Sequence, residues 1–173
     1  MAIRTMDDLF IHALQDVYYA ENQIAKTLPE MMGKVTEPAL FTHLERHLED
    51  TRDHIKRLEQ VFQALGQTPQ GVTCQAVLGL IEVGQGLARE IEDKDVRDAA
   101  ILSSAQAIEH YEINRYGTLI AWANQLDHRE AVDLNVLGNL EIVDLLQLSL
   151  DEEKYRDREL TALAESKVNY HAA

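Results

Sequence analysis

Apolar residues along the chain return every three or four positions, the spacing that lines one face of an α-helix, and no stretch shows the alternation of a half-buried strand. Leu9, Ala13, Val17, Ala20, Ile24 and Leu28 form a first stripe. Thr5 with Asp8 resembles a capping box that would start it, and Pro29 is expected to bend it before Gly33. A second stripe, Phe41, Leu44, Leu48, Ile55, Leu58, Phe62 and Leu65, follows the start signal Thr36-Glu37-Pro38 and stops at Gly66. The segment GQTPQGVT is the clearest loop, and the shorter apolar helix after it, about 74–89, reads as a crossover or covering element. A third long helix is expected over 95–125. The last ends near 167, with Leu146, Ser149, Glu153, Leu160 and Leu163 facing inward. Between these two, AVDL and IVDL recur eleven residues apart, and Gly138-Asn139 favours a break there. Four long helices and one short helix define an all-α bundle, a single domain over 1–167 with a short polar tail at 168–173.

The third stripe raises a chemical question. In AIEHYEINRYGTL, Glu112 shares an inward arc with Ala105, Ile108, Tyr116 and Leu119, and Glu109 lies at its edge. Burying an unpaired carboxylate costs several kcal/mol, so these positions need partners, protons or a metal. Every long helix carries candidate ligands beside its apolar face: Glu21 on the first, His47, Asp50 and His54 on the second, Glu109 and Glu112 on the third, Glu153 and Asp157 on the fourth. A carboxylate-bridged pair of metal ions needs that four-way distribution, because hard iron or manganese ions take oxygen ligands with an occasional imidazole and no single helix surrounds them.

A bland reading stands beside it. With 30 acidic residues in 173, chance alone supplies about five acidic pairs at any one helical spacing, and a histidine flanking an apolar arc is more often a hydrogen-bonded core residue than a ligand. Glu112 and Glu153, nearest the centres of their arcs, therefore weigh most, and His54 weighs more than His47. Tyr18, Tyr111 and Tyr116 read as packing residues with satisfied hydroxyls, Arg115 and Arg156 as neutralisers of nearby carboxylates. Trp122 and Met31-Met32 read as core or interface filling, and Cys74 as a small buried residue.

Composition narrows the partners. Sixteen basic residues against 30 acidic give a formal charge of −14, which repels phosphate backbones and anionic membranes, so neither nucleic acid nor membrane is an expected partner. There is no apolar run of about 20 residues, no signal-like N-terminal stretch, and one cysteine, which excludes an intramolecular disulfide. A soluble, cytoplasmic protein is expected.

Four stretches, LFIHALQDVYYAENQIAKTLPEM, HLEDTRDHIKRLEQVFQALG, AIEHYEINRYGTL and LDEEKYRDRELTALA, resemble the YciE/YciF-like family, a bacterial branch of the ferritin-like superfamily, in that family's order and over almost the whole chain. The resemblance implies a rubrerythrin-like four-helix bundle, an association with stress, self-association as a homodimer, and a di-iron centre without an established reaction. The usual ferritin-like ligand pattern is a Glu from each of two helices and E-x-x-H from each of the other two. This chain departs from it: Asp50 and His54 lie four apart, and Glu153 is followed three residues later by Arg156, which cannot ligate a metal. Asp157 would have to replace the missing imidazole, with Glu109 adding a further carboxylate. Two functions remain in view: a bundle holding two iron or manganese ions for oxygen- or peroxide-linked redox chemistry or metal handling, or a structural or interaction bundle whose inward carboxylates are paired with arginine or protons.

Overall fold

The computed structural model describes residues 3–126 and 142–173. Helix α1 spans Met6–Met32, α2 Pro38–Ala64, α3 Gln75–Glu90, α4 Lys94–Gln125 and α5 Ile142–Leu163. A π-helical turn, Ala164–Val168, then leads into the short α6, Asn169–Ala172. Helices α1, α2, α5 and α4 pack in a closed ring, each against the next, and α3 lies outside it against α4 and α1. This is the ferritin-like four-helix bundle with its additional short helix. The expected break at Gly138-Asn139 falls outside the described residues.

The chain ends its helices with local chemistry. Thr5 Oγ1 accepts from the Asp8 amide at 3.0 Å while Asp8 Oδ2 accepts from the Thr5 amide at 3.0 Å, a reciprocal capping box. Pro29 lies in the last turn of α1 without interrupting it. Helix α2 is capped by Glu37, whose carboxylate accepts from the Ala39 amide, and not by Thr36. The Thr36 hydroxyl instead donates to Asp98 Oδ2 at 2.6 Å, and the Thr36 and Glu37 amides donate to the same carboxylate, so buried Asp98 ties the α1–α2 turn to α4. At the other end Gly66, with φ 66°, donates to the Gln63 carbonyl while Gln67 donates to that of Phe62, the paired bonds of a Schellman stop that favours glycine.

Two apolar clusters fill the bundle. One gathers Phe10, Leu14, Leu58, Phe62, Leu119 and Leu146; the other Ile24, Leu28, Leu44, Val77, Ile101 and Leu160. Trp122 is half-buried against the first, and Met31 and Cys74 are buried in the second. On all four ring helices the switch from one cluster to the other falls at the same level, around Glu21, residues 47–54, residues 109–112 and Glu153. The helical backbone runs on beyond Lys167, where a polar tail was expected, because Val168 is buried in the second cluster. Among the described residues no helix is long and apolar enough to cross a membrane.

Candidate metal centre

The level between the two apolar clusters is a layer of acid and imidazole. Glu21, His47, His54, Glu109, Glu112 and Glu153 are each 1% exposed or less. The 3.6-residue period explains their placement. On α4 the buried series is Ala105, Glu109, Glu112, Tyr116, Leu119, so both glutamates fall within the inward arc, while Ile108, expected there, is half-buried just outside it. On α2 the buried series is His47, Thr51, His54, which turns the intervening Asp50 aside.

Two groups of ligand-type atoms result, each with its atoms within 4.8 Å of one another: His47, Glu109, Glu112 and Glu153 in one, Glu21, His54 and Glu153 in the other. Glu153 belongs to both. His47 Nδ1 lies 3.2 Å from Glu109 Oε1 and its Nε2 lies 3.6 Å from Glu112 Oε2. His54 Nδ1 lies 3.0 Å from Glu153 Oε1 and 3.4 Å from Glu21 Oε1.

Around the layer stands a set of fixed partners. Glu152 Oε2 meets His54 Nε2 at 2.8 Å, and the two Glu152 oxygens accept from Arg57, Oε2 at 2.6 Å and Oε1 at 2.9 Å. With Nε2 donating to that carboxylate, His54 turns Nδ1 toward Glu21 and Glu153, the outer-partner arrangement that orients imidazole ligands. The Tyr116 hydroxyl donates to Glu21 Oε1 at 2.6 Å. Buried Arg156 pairs with Asp50, and its Nε lies 4.0 Å from Glu153 Oε2. Arg115 pairs with Asp16 and lies over the Tyr111 ring, away from the layer.

Charges inside the layer are uneven. Burial, together with the neighbouring Glu153 charge, pushes Glu109 and Glu112 well above the ordinary carboxylate range. Glu153 moves the other way: burial opposes its ionisation, but the Glu109 carboxyl and the His54 ring favour the anion more strongly and hold it low. Burial likewise opposes charge on His54, yet Glu21, Glu152 and Glu153 together raise it well above its usual value. His47, by contrast, is driven down to about 3 by burial. Burial would raise Glu152, but its bonds from His54 and Arg57 hold it at about 2. The layer thus favours charge on His54 and Glu153 and disfavours it on Glu109 and Glu112.

Of the residues singled out in the sequence, Glu21, His54, Glu109, Glu112 and Glu153 come together. Asp50 and Asp157 do not: Asp50 is engaged by Arg156, and Asp157 Oδ1 lies 3.0 Å from His110 Nε2 of α4, outside both groups. The place the pattern left for a second imidazole on α5 is taken by Arg156. His47, discounted in the sequence as a core histidine, completes the first group, and its signal was the seven-residue spacing to His54. Glu152 was missed because it points away from the apolar arc.

A four-helix bundle with a buried acid and imidazole layer at mid-height places the chain among ferritin-like proteins. It matches, over residues 5–173, the family described as a domain of unknown function (DUF892), to which it belongs. Protein YciF of Escherichia coli is 37% identical over 173 residues, covering 99% of this chain and 98% of that one. The crystal structure of that stress protein superposes with a TM-score of 0.86 over 96% of this chain and 99% of the other, at 36% identity. YcfI of Rhodopseudomonas palustris, provisionally assigned a structural role, has a TM-score of 0.83 at 50% identity, covering 92% of this chain and 94% of its own.

Proposed function

We propose that the chain holds two metal ions, iron or manganese, in the layer at mid-bundle, and serves oxygen- or peroxide-linked redox chemistry or metal handling under stress in the cytoplasm. One observation carries this reading. Ten buried polar atoms of Glu21, His47, His54, Glu109, Glu112 and Glu153 have no hydrogen-bond partner outside this same group. A native core rarely leaves even a few such atoms unpaired, and leaving this many together is costly unless something binds them. Carboxylate oxygens with two imidazoles suit hard and borderline cations, so the donor set fits.

In this reading His47, Glu109, Glu112 and Glu153 would hold one ion and Glu21, His54 and Glu153 the other. When bound, the ions would supply one-electron redox steps and Lewis acidity. The chain's own part is to orient and to insulate. Glu152 and Tyr116 fix His54 and Glu21, Arg156 offsets part of the carboxylate charge, and the two apolar clusters keep bulk water from both ends of the layer. Asp50 and Asp157 are left out of the ligand set.

The structural alternative draws support from Arg156 in the place of a second imidazole and from the raised pKa values of Glu109 and Glu112, since a carboxyl that favours its neutral form is less costly to bury. Metal analysis after anaerobic loading with ferrous or manganous ion and dialysis separates the two. About two ions per chain are expected; a content no higher than that of a metal-free control protein would favour the structural bundle.

A further inference from the structure

Beneath α3 lies a small cavity of about 30 Å³. Its outer part is lined by half-buried Thr27, Leu80, Ser104 and Ile108, and its inner part by buried Ile24, Leu44 and Ala105, ending against His47. The only polar side chains in its wall are Thr27, Ser104 and His47. Both hydroxyls are turned back on their own helices, Thr27 donating to the Gln23 carbonyl and Ser104 to that of Ala100, each at 2.9 Å. The His47 nitrogens lie toward Glu109 and Glu112. Water in this half-open cavity would therefore find almost nothing to bond in the wall, so an apolar guest would displace it at little cost. Its volume admits one diatomic molecule or one xenon atom.

Voids of this kind lower stability in proportion to their volume, so one kept against a residue of the layer calls for a reason. The tight approach of α3 to α4 maintains it: a Cβ placed on Gly84 would come within 3.0 Å of Ser104 Cβ, so the two helices are already in contact beside the cavity and cannot close further.

We infer that this cavity is a binding site for a single small apolar molecule of the size of dioxygen, set against the His47 side of the layer. The inference extends the metal reading by naming the co-reactant class that this side admits, an apolar gas and not a hydrogen-bonding oxidant such as peroxide.

The test is a xenon titration of the metal-free protein, followed through methyl resonances. Saturable shifts are expected at Ile24, Leu44, Ile81 and Ile101, with none at Leu58 or Leu146 in the opposite cluster. Ala105→Leu, which fills the inner part, and Ile108→Phe, which fills the half-buried outer part, should each weaken xenon binding at least tenfold. Absence of saturable shifts in the unaltered protein would overturn the inference, as would full binding in both variants when their circular dichroism shows them folded. Should either variant fail to fold, the unaltered protein still decides. Xenon binding without metal uptake would keep the cavity and remove the metal reading; metal uptake without xenon binding would do the reverse.

Discussion

Replacing Glu112 by Gln isolates the electrostatic cost of the layer. Glu112 is 1% exposed and neither carboxyl oxygen has a hydrogen-bond partner. Its folded pKa is raised above the ordinary 4.5 by burial and by the charges of Glu153 and Glu21, so the metal-free fold retains a proton that the unfolded chain releases above that value. Between 4.5 and the folded pKa the unfolded state binds fewer protons, so this residue lowers stability as pH rises. One pH unit is worth about 1.36 kcal/mol, so the cost reaches at most about 3.4 kcal/mol at pH 7 and about 0.7 kcal/mol at pH 5. Glutamine removes this cost and adds a pH-independent penalty of about 1–3 kcal/mol for an amide group without partners. The penalty cancels in the comparison between pH values. In chelator, Glu112→Gln should therefore gain stability relative to the unaltered protein by up to about 2.7 kcal/mol between pH 5 and pH 7. Denaturant unfolding at both pH values, with equal m-values, reads this directly. A difference that is flat with pH, or a variant that loses ground as pH rises, would mean that Arg156 holds Glu112 as an anion, and the account of the layer would fail.

Metal uptake should strengthen with pH and release protons, because burial favours the neutral forms of Glu109 and Glu112 and ligation needs their anions; calorimetry in buffers of different ionisation enthalpy counts the protons, and uptake without proton release would contradict the raised pKa values. Glu152→Gln should lower metal affinity by about 10–100-fold by releasing His54 Nε2 while leaving the bundle folded, as competition with a chelator would show. Asp98→Ala should cost about 2–4 kcal/mol in denaturant unfolding, since it strands the Thr36 hydroxyl and two amides at the α1–α2 turn. A homodimer is expected from the exposed Phe41, Leu148 and Tyr155, and light scattering should report about twice 19.6 kDa at tens of micromolar.

The fold was readable from the sequence because helical periodicity and end signals agree along most of the chain. Thr5 with Asp8 and Gly66 mark helix ends that the structure keeps. Thr36 misled because its hydroxyl is claimed by Asp98, 62 residues away, and no local pattern carries that information. The layer was readable in part for the same reason. Glu21, Glu112 and Glu153 stand where apolar residues would be expected, whereas Glu109 and Asp50 are separated only by helix rotation. One step of 100° from half-buried Ile108 brings Glu109 inside its arc, and one step back from buried Thr51 takes Asp50 out to Arg156. His47 could not be told from a core histidine until its ring was seen between Glu109 and Glu112, and Glu152 acts across the bundle on His54.

The central claim, two metal ions sharing Glu153, is tested most directly by anomalous diffraction from crystals of the protein loaded with iron or manganese, with data collected on both sides of the metal absorption edge. Two anomalous peaks are predicted, one among His47, Glu109, Glu112 and Glu153 and the other among Glu21, His54 and Glu153. A map without a peak in this layer, from crystals whose surface sites do take up the metal, would contradict the claim and leave the carboxylates to protons and Arg156.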